Sequence, residues 1–138
     1  LSWYGRGPWE NYPDRKTSCL IGRWSSKVSS QYTHYPRPQD SGNHEDVTEV
    51  TLTNKEGKGI RVTAIDRPFS FSALYYTVDD IYKATHDCDL KPRKEIILSL
   101  DAAVLGLGNS SCGPGVLKKY AIDKQKPHTL RVRFSLIK

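Results

Sequence analysis

Apolar and polar residues alternate with a period of two along four stretches of the chain. Val50 and Leu52 alternate with Thr51 and Thr53, and Ile60, Val62 and Ala64 with Arg61 and Thr63. Phe69, Phe71, Ala73 and Tyr75 fall on one side of the next stretch. Near the end, Leu130, Val132, Phe134 and Leu136 oppose Thr129, Arg131, Arg133 and Ser135. Successive side chains of a strand point to opposite faces, so each stretch reads as a half-buried β-strand. Residues 95–108, EIILSLDAAVLGLG, are more uniformly apolar. They fit one strand buried on both faces, or two short strands with a bend at Asp101-Ala102. The glycines of NKEGKG, 54–59, predict a hairpin between Leu52 and Ile60.

One segment departs from this pattern. Residues 77–87, TVDDIYKATHD, predict one or two helical turns. Thr77 is placed to cap them, and Asp79 and Asp80 sit where the helix dipole favours negative charge. Residues 1–46 are rich in Gly, Pro, Ser, Asn and aromatics and read as long ordered turns. Many short strands joined by such turns predict an all-β fold, an antiparallel β-sandwich.

Composition narrows the class. The 138 residues suit one domain with a real core, and no apolar run approaches membrane-spanning length. The chain contains no methionine and opens on LSWYGRGPW, which reads as the middle of a structured segment. Residues 1–138 are therefore expected to be a single-domain fragment of a longer protein. The net charge of +6 permits an anionic partner, but Lys and Arg are scattered rather than concentrated. Solvated loops explain KPRK (91–94) and LKKY (117–120), so neither nucleic acid nor membrane is expected as a partner. Three cysteines, Cys19, Cys88 and Cys112, do not form a disulfide framework. The compartment, cytoplasmic or periplasmic, is left open.

Few residues combine into a chemical device. No Gly-x-Ser-x-Gly elbow accompanies the four histidines, His34, His44, His86 and His128. His86 and Cys88 have the spacing of half a zinc site, with no second pair, so no metal is expected. His86 reads instead as a partly buried histidine with both ring nitrogens bonded. Acids such as Glu10, Asp14, Asp40, Glu45, Asp46, Asp79 and Asp80 are not paired by sequence, and surface charge is their default reading. Trp3, Tyr4, Trp9 and Tyr12 crowd residues 3–15, either filling a corner of the core or stacking on sugar rings. Cys112 lies in GLGNSSCGPG, 106–115. By residue type alone it fits a nucleophile, a metal ligand, a redox thiol or a small side chain in a tight turn.

Four motifs in order give the chain a relative. WYGRGPWENYPDR (3–15) resembles the Gly-x-Gly-Pro-x-Glu-Asn-Tyr-Pro-Asp-Arg signature of the last domain of glycoside hydrolase family 2 β-galactosidases, the small chain. YPRPQDSGNHEDV (35–47) resembles that family's Pro-Gln-Glu-x-Gly-Asn-Arg-x-Asp-Val segment. PFSFSALYYTVDDIYKATHDCDL (68–90) resembles its segment ending in Ala-x-His with a following Leu, and LDAAVLGLGNSSCGPGV (100–116) the loop before its final strands.

The resemblance implies a large antiparallel supersandwich of the galactose-mutarotase-like kind, with this chain roughly its C-terminal half. It implies a parent enzyme that cleaves terminal β-D-galactosyl residues with retention, through a covalent galactosyl intermediate. The two catalytic glutamates of that enzyme belong to a TIM-barrel domain of the same polypeptide. No catalytic residue is therefore carried onto this chain, which is expected to be inert alone and to need no cofactor. The alternative is a carbohydrate-binding sandwich without activity. In the resembling family the loop matching 106–115 reaches the active site and presents a tryptophan to the sugar. Asn109, Ser110, Ser111 and Cys112 are thus the implied substrate-binding residues, with Cys112 nearest the tryptophan position after a one-residue shortening. A smaller side chain there implies room for a different or larger aglycone than glucose. His44 replaces the family's usual Arg, and DVTEV a segment that often carries Trp. A sandwich lacking half its strands is expected to expose sheet edges and apolar faces, so that the fragment either closes on itself or self-associates.

Overall fold

The computed structural model describes residues 1–109 and 113–138. Two antiparallel sheets face each other. The larger has five strands: β1 (Ser2–Gly7), β2 (Leu20–Ser25), β4 (Glu49–Thr53), β5 (Gly59–Ala64) and β8 (Val132–Ile137), in the order β2-β1-β4-β5-β8. The smaller pairs β3 (His44–Val47), β6 (Phe69–Leu74) and β7 (Ile97–Asp101) in the order β3-β6-β7. The all-β antiparallel sandwich expected from the period-two stretches is what the chain forms.

The alternation sets the core. Trp3, Val50 and Val62 point from the larger sheet onto Val47, Phe69, Phe71 and Ala73 of the smaller one. Apolar residues two apart on each strand meet across the interface, which removes them from water and stabilises the pair of sheets. The sheets come close at Gly5, where a Cβ would lie 2.6 Å from Val47 Cγ2. Glycine is required there because any side chain would wedge the layers apart. The hairpin predicted at 54–59 is present: Thr53 pairs with Gly59, and Gly57 takes a φ of 82° that favours glycine. Strand β3 carries a bulge, since two residue steps of β6 oppose three of β3 between His44 and Val47. Asp46 occupies the left-handed region at φ 56°, held there by Arg6 Nε at 2.5 Å and Lys16 Nζ at 3.0 Å.

The helix forms as its capping residues predict. α1 spans Val78–Lys83, Thr77 Oγ1 accepts from the Asp80 N–H, and the Asp80 carboxylate accepts from the Thr77 N–H. Ile81 turns inward onto Tyr32 and Leu74, a second small cluster beside the main core.

Four expectations need correction. Residues 1–46 hold three strands, β1, β2 and part of β3, where turns were expected; glycines at 5, 7 and 22 disguise the alternation. Residues 95–108 form one strand ending at Asp101 and a bend at Ala102, without a second strand. That strand is half-buried throughout because it is the edge of the smaller sheet. In β8, Val132 packs on the core, but Phe134 and Leu136 are 61% and 79% exposed. The smaller sheet is too narrow to cover them, so an apolar face with open edges at β2 and β8 results. His86 is exposed, with Nδ1 3.8 Å from Asp89. The buried histidine bonded at both nitrogens is His44.

Candidate functional site

The Glu-Asn-Tyr-Pro-Asp-Arg segment follows β1 and folds back on itself. Tyr12 N–H donates to Arg15 O at 3.2 Å and Arg15 N–H to Tyr12 O at 2.8 Å, which makes a tight turn around Pro13-Asp14. Glu10, Asn11 and Asp14 then reach distant parts of the chain, while Tyr12 and Arg15 turn back onto Glu10. The Glu10 side chain is 8% exposed and accepts from the hydroxyls of Tyr12 and Tyr35 and from the Gly42 N–H at 2.8 Å. Arg15 Nη1 lies 3.8 Å from the same carboxylate. Burial and the negative charge of Glu10 push the Tyr12 phenol up, so it remains a donor at neutral pH.

Asn11 is fully buried, and each of its four polar atoms makes a hydrogen bond. Its N–H donates to Asn43 O, its carbonyl accepts from Asn43 Nδ2, and its side chain bonds Trp9 O and the Glu45 N–H. Glu45 in turn accepts from Asn43 Nδ2 at 2.9 Å and from Ser70 Oγ at 2.6 Å. Glu10 and Glu45 are therefore not surface charges. Both carboxylates accept from protein donors, so both fasten distant parts of the chain to one another. Burial also holds Asp101 above its usual range, helped by the negative charges of Asp40 and Glu45.

Asp14 extends the network furthest. Its carboxylate accepts the Leu107 N–H at 2.9 Å and the Gly108 N–H at 2.8 Å. With Arg15, Leu107, Gly108, Asn109 and Tyr120 it borders an open concavity of about 660 Å³. The turn at 12–15 thus joins residues 35–47 and 106–108, so three of the four motifs read from the sequence meet in one place.

Beside this corner lies His44, 1% exposed, between Trp3 and Phe71 at ring-centroid distances of 4.3 and 5.2 Å. Nδ1 is 3.2 Å from Arg6 O and Nε2 is 2.7 Å from Gln31 Oε1. Burial lowers its pKa to about 4, against the opposing pull of the Arg6 carbonyl and Glu10. The ring is then neutral at pH 7 and carries a single N–H between two acceptor oxygens.

The sequence-derived site residues divide in two. Asn109 is exposed at the mouth of the loop, with its N–H on Pro114 O at 2.9 Å and its carbonyl accepting from Gly113. Ser110, Ser111 and Cys112 lie outside the described residues. Of the four aromatics at 3–15, Trp3 and Tyr12 are buried while Trp9 is 74% exposed. Cys19 is buried under the Trp9 carbonyl, and Cys88 is exposed. Among the described residues no group of three His, Cys, Asp or Glu is placed to hold a metal, and no helix is long and apolar enough to cross a membrane. The sequence reading missed the long-range partners of Glu10, Asn11 and Asp14. A Pro-Asp pair signals the turn, but nothing local encodes what its carboxylate reaches.

The whole constellation falls within a known family. Residues 1–136 match the model of the β-galactosidase small chain. The chain belongs to that family. It is similar to the β-galactosidase of Kluyveromyces lactis, 36% identical over 126 residues, which cover 91% of this chain and 12% of the relative. It is also similar to the β-galactosidase of Arthrobacter sp. strain B7, at 34% identity over 96% of this chain and 14% of the relative. Against the β-galactosidase BgaC of Bifidobacterium adolescentis the identity is 35%, over 99% of this chain and 13% of the relative. The chain thus spans a small part of these curated relatives. The motif read at 3–15 contains the turn that gathers the corner, and Asp14 holds Leu107 and Gly108 at the start of the loop 106–115.

Proposed function

We propose that this chain is a non-catalytic β-sandwich part of a retaining β-galactosidase, and that it completes the rim of the galactoside site through loop 106–115. One observation carries this reading: relatives named β-galactosidase match nearly the whole chain, while the match occupies only 12–14% of each. Such a share fits an accessory part of a larger enzyme. Glu10 and Glu45, the two buried glutamates of the corner, are committed to internal bonds, which supports a catalytic pair supplied by another domain of the same polypeptide.

In this reading the chain's own residues do structural work for the reaction. The corner fixes the base of the loop, the loop forms one wall of the sugar site, and Cys112 gives that wall a small side chain. The chain takes no proton from the substrate and forms no bond to it. The test is an assay of the purified chain and of the complete enzyme on an activated aryl β-galactoside. Turnover is expected for the complete enzyme and none for the chain. Turnover by the chain alone at roughly 10 per second, an ordinary enzyme rate, would overturn the proposal.

The exposed Trp9 favours a second reading, a carbohydrate-binding sandwich, because a solvent-facing indole can stack on the apolar face of a sugar. Galactose titration of the isolated chain, followed by Trp9 fluorescence, separates the two. A saturable change lost in Trp9→Ala supports binding without catalysis; no change supports the rim reading.

A further inference from the structure

We propose that Asp14 is a positioning residue for galactoside binding, acting on the rim loop through the backbone of Leu107 and Gly108. The proposal rests on the reading of loop 106–115 as part of the sugar site. Asp14 itself reaches that site only through the loop it holds.

The geometry is that of a clamp. The Tyr12–Arg15 bridge fixes the turn, so the Asp14 carboxylate starts from a rigid base. Its two oxygens receive two successive amides, one each, at 2.9 and 2.8 Å. Burial would push this carboxyl up, yet the Gly108 and Leu107 amides outweigh it and hold the group below the usual carboxylate range. Asp14 is therefore ionised at neutral pH, and both bonds are charge-assisted, the stronger kind.

The loop is shaped to be held. Gly106 donates its N–H to Tyr120 O at 3.2 Å, and a Cβ on Gly106 would lie 2.8 Å from Asp14 Oδ2 and 3.0 Å from Tyr120 Cβ. Gly108, whose N–H meets the same carboxylate, has a φ of 61°, a conformation that favours glycine and turns the chain that follows. Beyond it the Asn109 N–H closes the loop on Pro114 O. The described parts of the loop thus have one fixed entrance, set by Asp14, and one fixed closure.

The consequence is a division of kinetic effects. A loop that presents groups to the ground-state sugar and loses its anchor weakens substrate binding, while the chemical groups on another domain stay in place. Asp14→Asn keeps the shape but offers one acceptor oxygen to two donors and turns an –NH2 toward an N–H. Gly106→Ala leaves Asp14 intact and displaces its carboxylate from the other side. Both variants are made in the complete enzyme. Each is expected to raise KM for a galactoside about tenfold, with kcat reduced less than about threefold. Deuterium exchange in a peptide covering 105–110 is expected to accelerate in both. Asp14→Glu, which keeps the charge on a longer arm, is expected to recover part of the KM. A purely structural role would lower kcat with the active fraction and leave KM alone, which would overturn the proposal. Unchanged exchange at 105–110 would also overturn it, by showing that Asp14 does not hold the loop. Faster exchange with unchanged KM and kcat would instead refute the placement of this loop at the sugar site, and with it any kinetic role for Asp14.

Discussion

Acidification should unfold this domain through His44 before it reaches the carboxylates. The ring is enclosed by Trp3 and Phe71, and burial lowers its pKa to about 4, from an ordinary value of 6.5. In the unfolded chain it takes up a proton near 6.5; in the folded chain it resists until about 4. Between these values the unfolded state binds more protons, so stability falls as pH falls and recovers as pH rises. A gap of about 2.5 units, at ~1.36 kcal/mol each, amounts to about 3 kcal/mol at pH 4. That is a large part of the ~5–15 kcal/mol that stabilises an ordinary domain. Asp14 and Asp46, whose carboxyls are held low, lose their contribution only as pH falls below the ordinary carboxylate value, while Asp40 and Asp101, raised by burial, bind protons in the folded state first and oppose the histidine at the acid end; the comparison with a non-titrating variant isolates the histidine's share. The assay is urea unfolding of the chain at intervals from pH 7 to pH 4, beside His44→Gln, which cannot titrate. The wild-type should lose about 3 kcal/mol more than the variant across this range. An NMR titration that places the His44 ring at its ordinary value, or equal pH slopes for both proteins, would refute the reasoning.

Four further outcomes follow from the packing. Trp3→Ala should cost about 3–5 kcal/mol because its ring is buried between two aromatic neighbours. Trp9→Ala, at an exposed position, should stay within about 0.5 kcal/mol in the same denaturation assay. Gly5→Ala should destabilise by about 1–3 kcal/mol, since the added methyl meets Val47 at 2.6 Å, and a melting temperature equal to wild-type would contradict the close approach of the sheets. Phe134→Lys with Leu136→Glu should reduce concentration-dependent association of the isolated chain, measured by sedimentation, because both side chains lie on the uncovered apolar face.

Strands with intact alternation were legible in the sequence. Val50, Val62, Phe69 and Phe71 sit in the core they announced, and Thr77 and Asp80 cap the helix their spacing indicated. Strands β1 and β2 were not legible, because Gly5, Gly7 and Gly22 occupy positions where an apolar side chain would mark the inward face. Those glycines answer to a neighbour in space, Val47 of the facing sheet in one case and Trp24 of the adjacent strand in another, and such a partner leaves no trace in local pattern. The corner behaved in the same way. The turn formers around Glu10, Asp14 and Arg15 marked a corner, but the two acids read by default as surface charge. That Glu10 binds Tyr35 and Gly42, and Asp14 binds Leu107 and Gly108, required the fold. Trp9 and Tyr12 were equivalent candidates for packing until the turn sent one outward and one inward.

The distance along the chain between Asp14 and Gly108 also sets a timetable. The two are 94 residues apart. At the ~5–20 residues per second of translation, the carboxylate leaves the ribosome about 5–20 s before the amide it will bind. Glu10 meets its own partner sooner, since Gly42 follows by 32 positions. The signature segment is thus assembled in two instalments: the half that grips residues 42–45 can close early, and the half that grips the rim loop must wait. A newborn chain passes through an interval in which its most distinctive turn is fastened on one side only, and quality-control factors that sample nascent proteins meet the Asp14 carboxylate before it has a loop to hold.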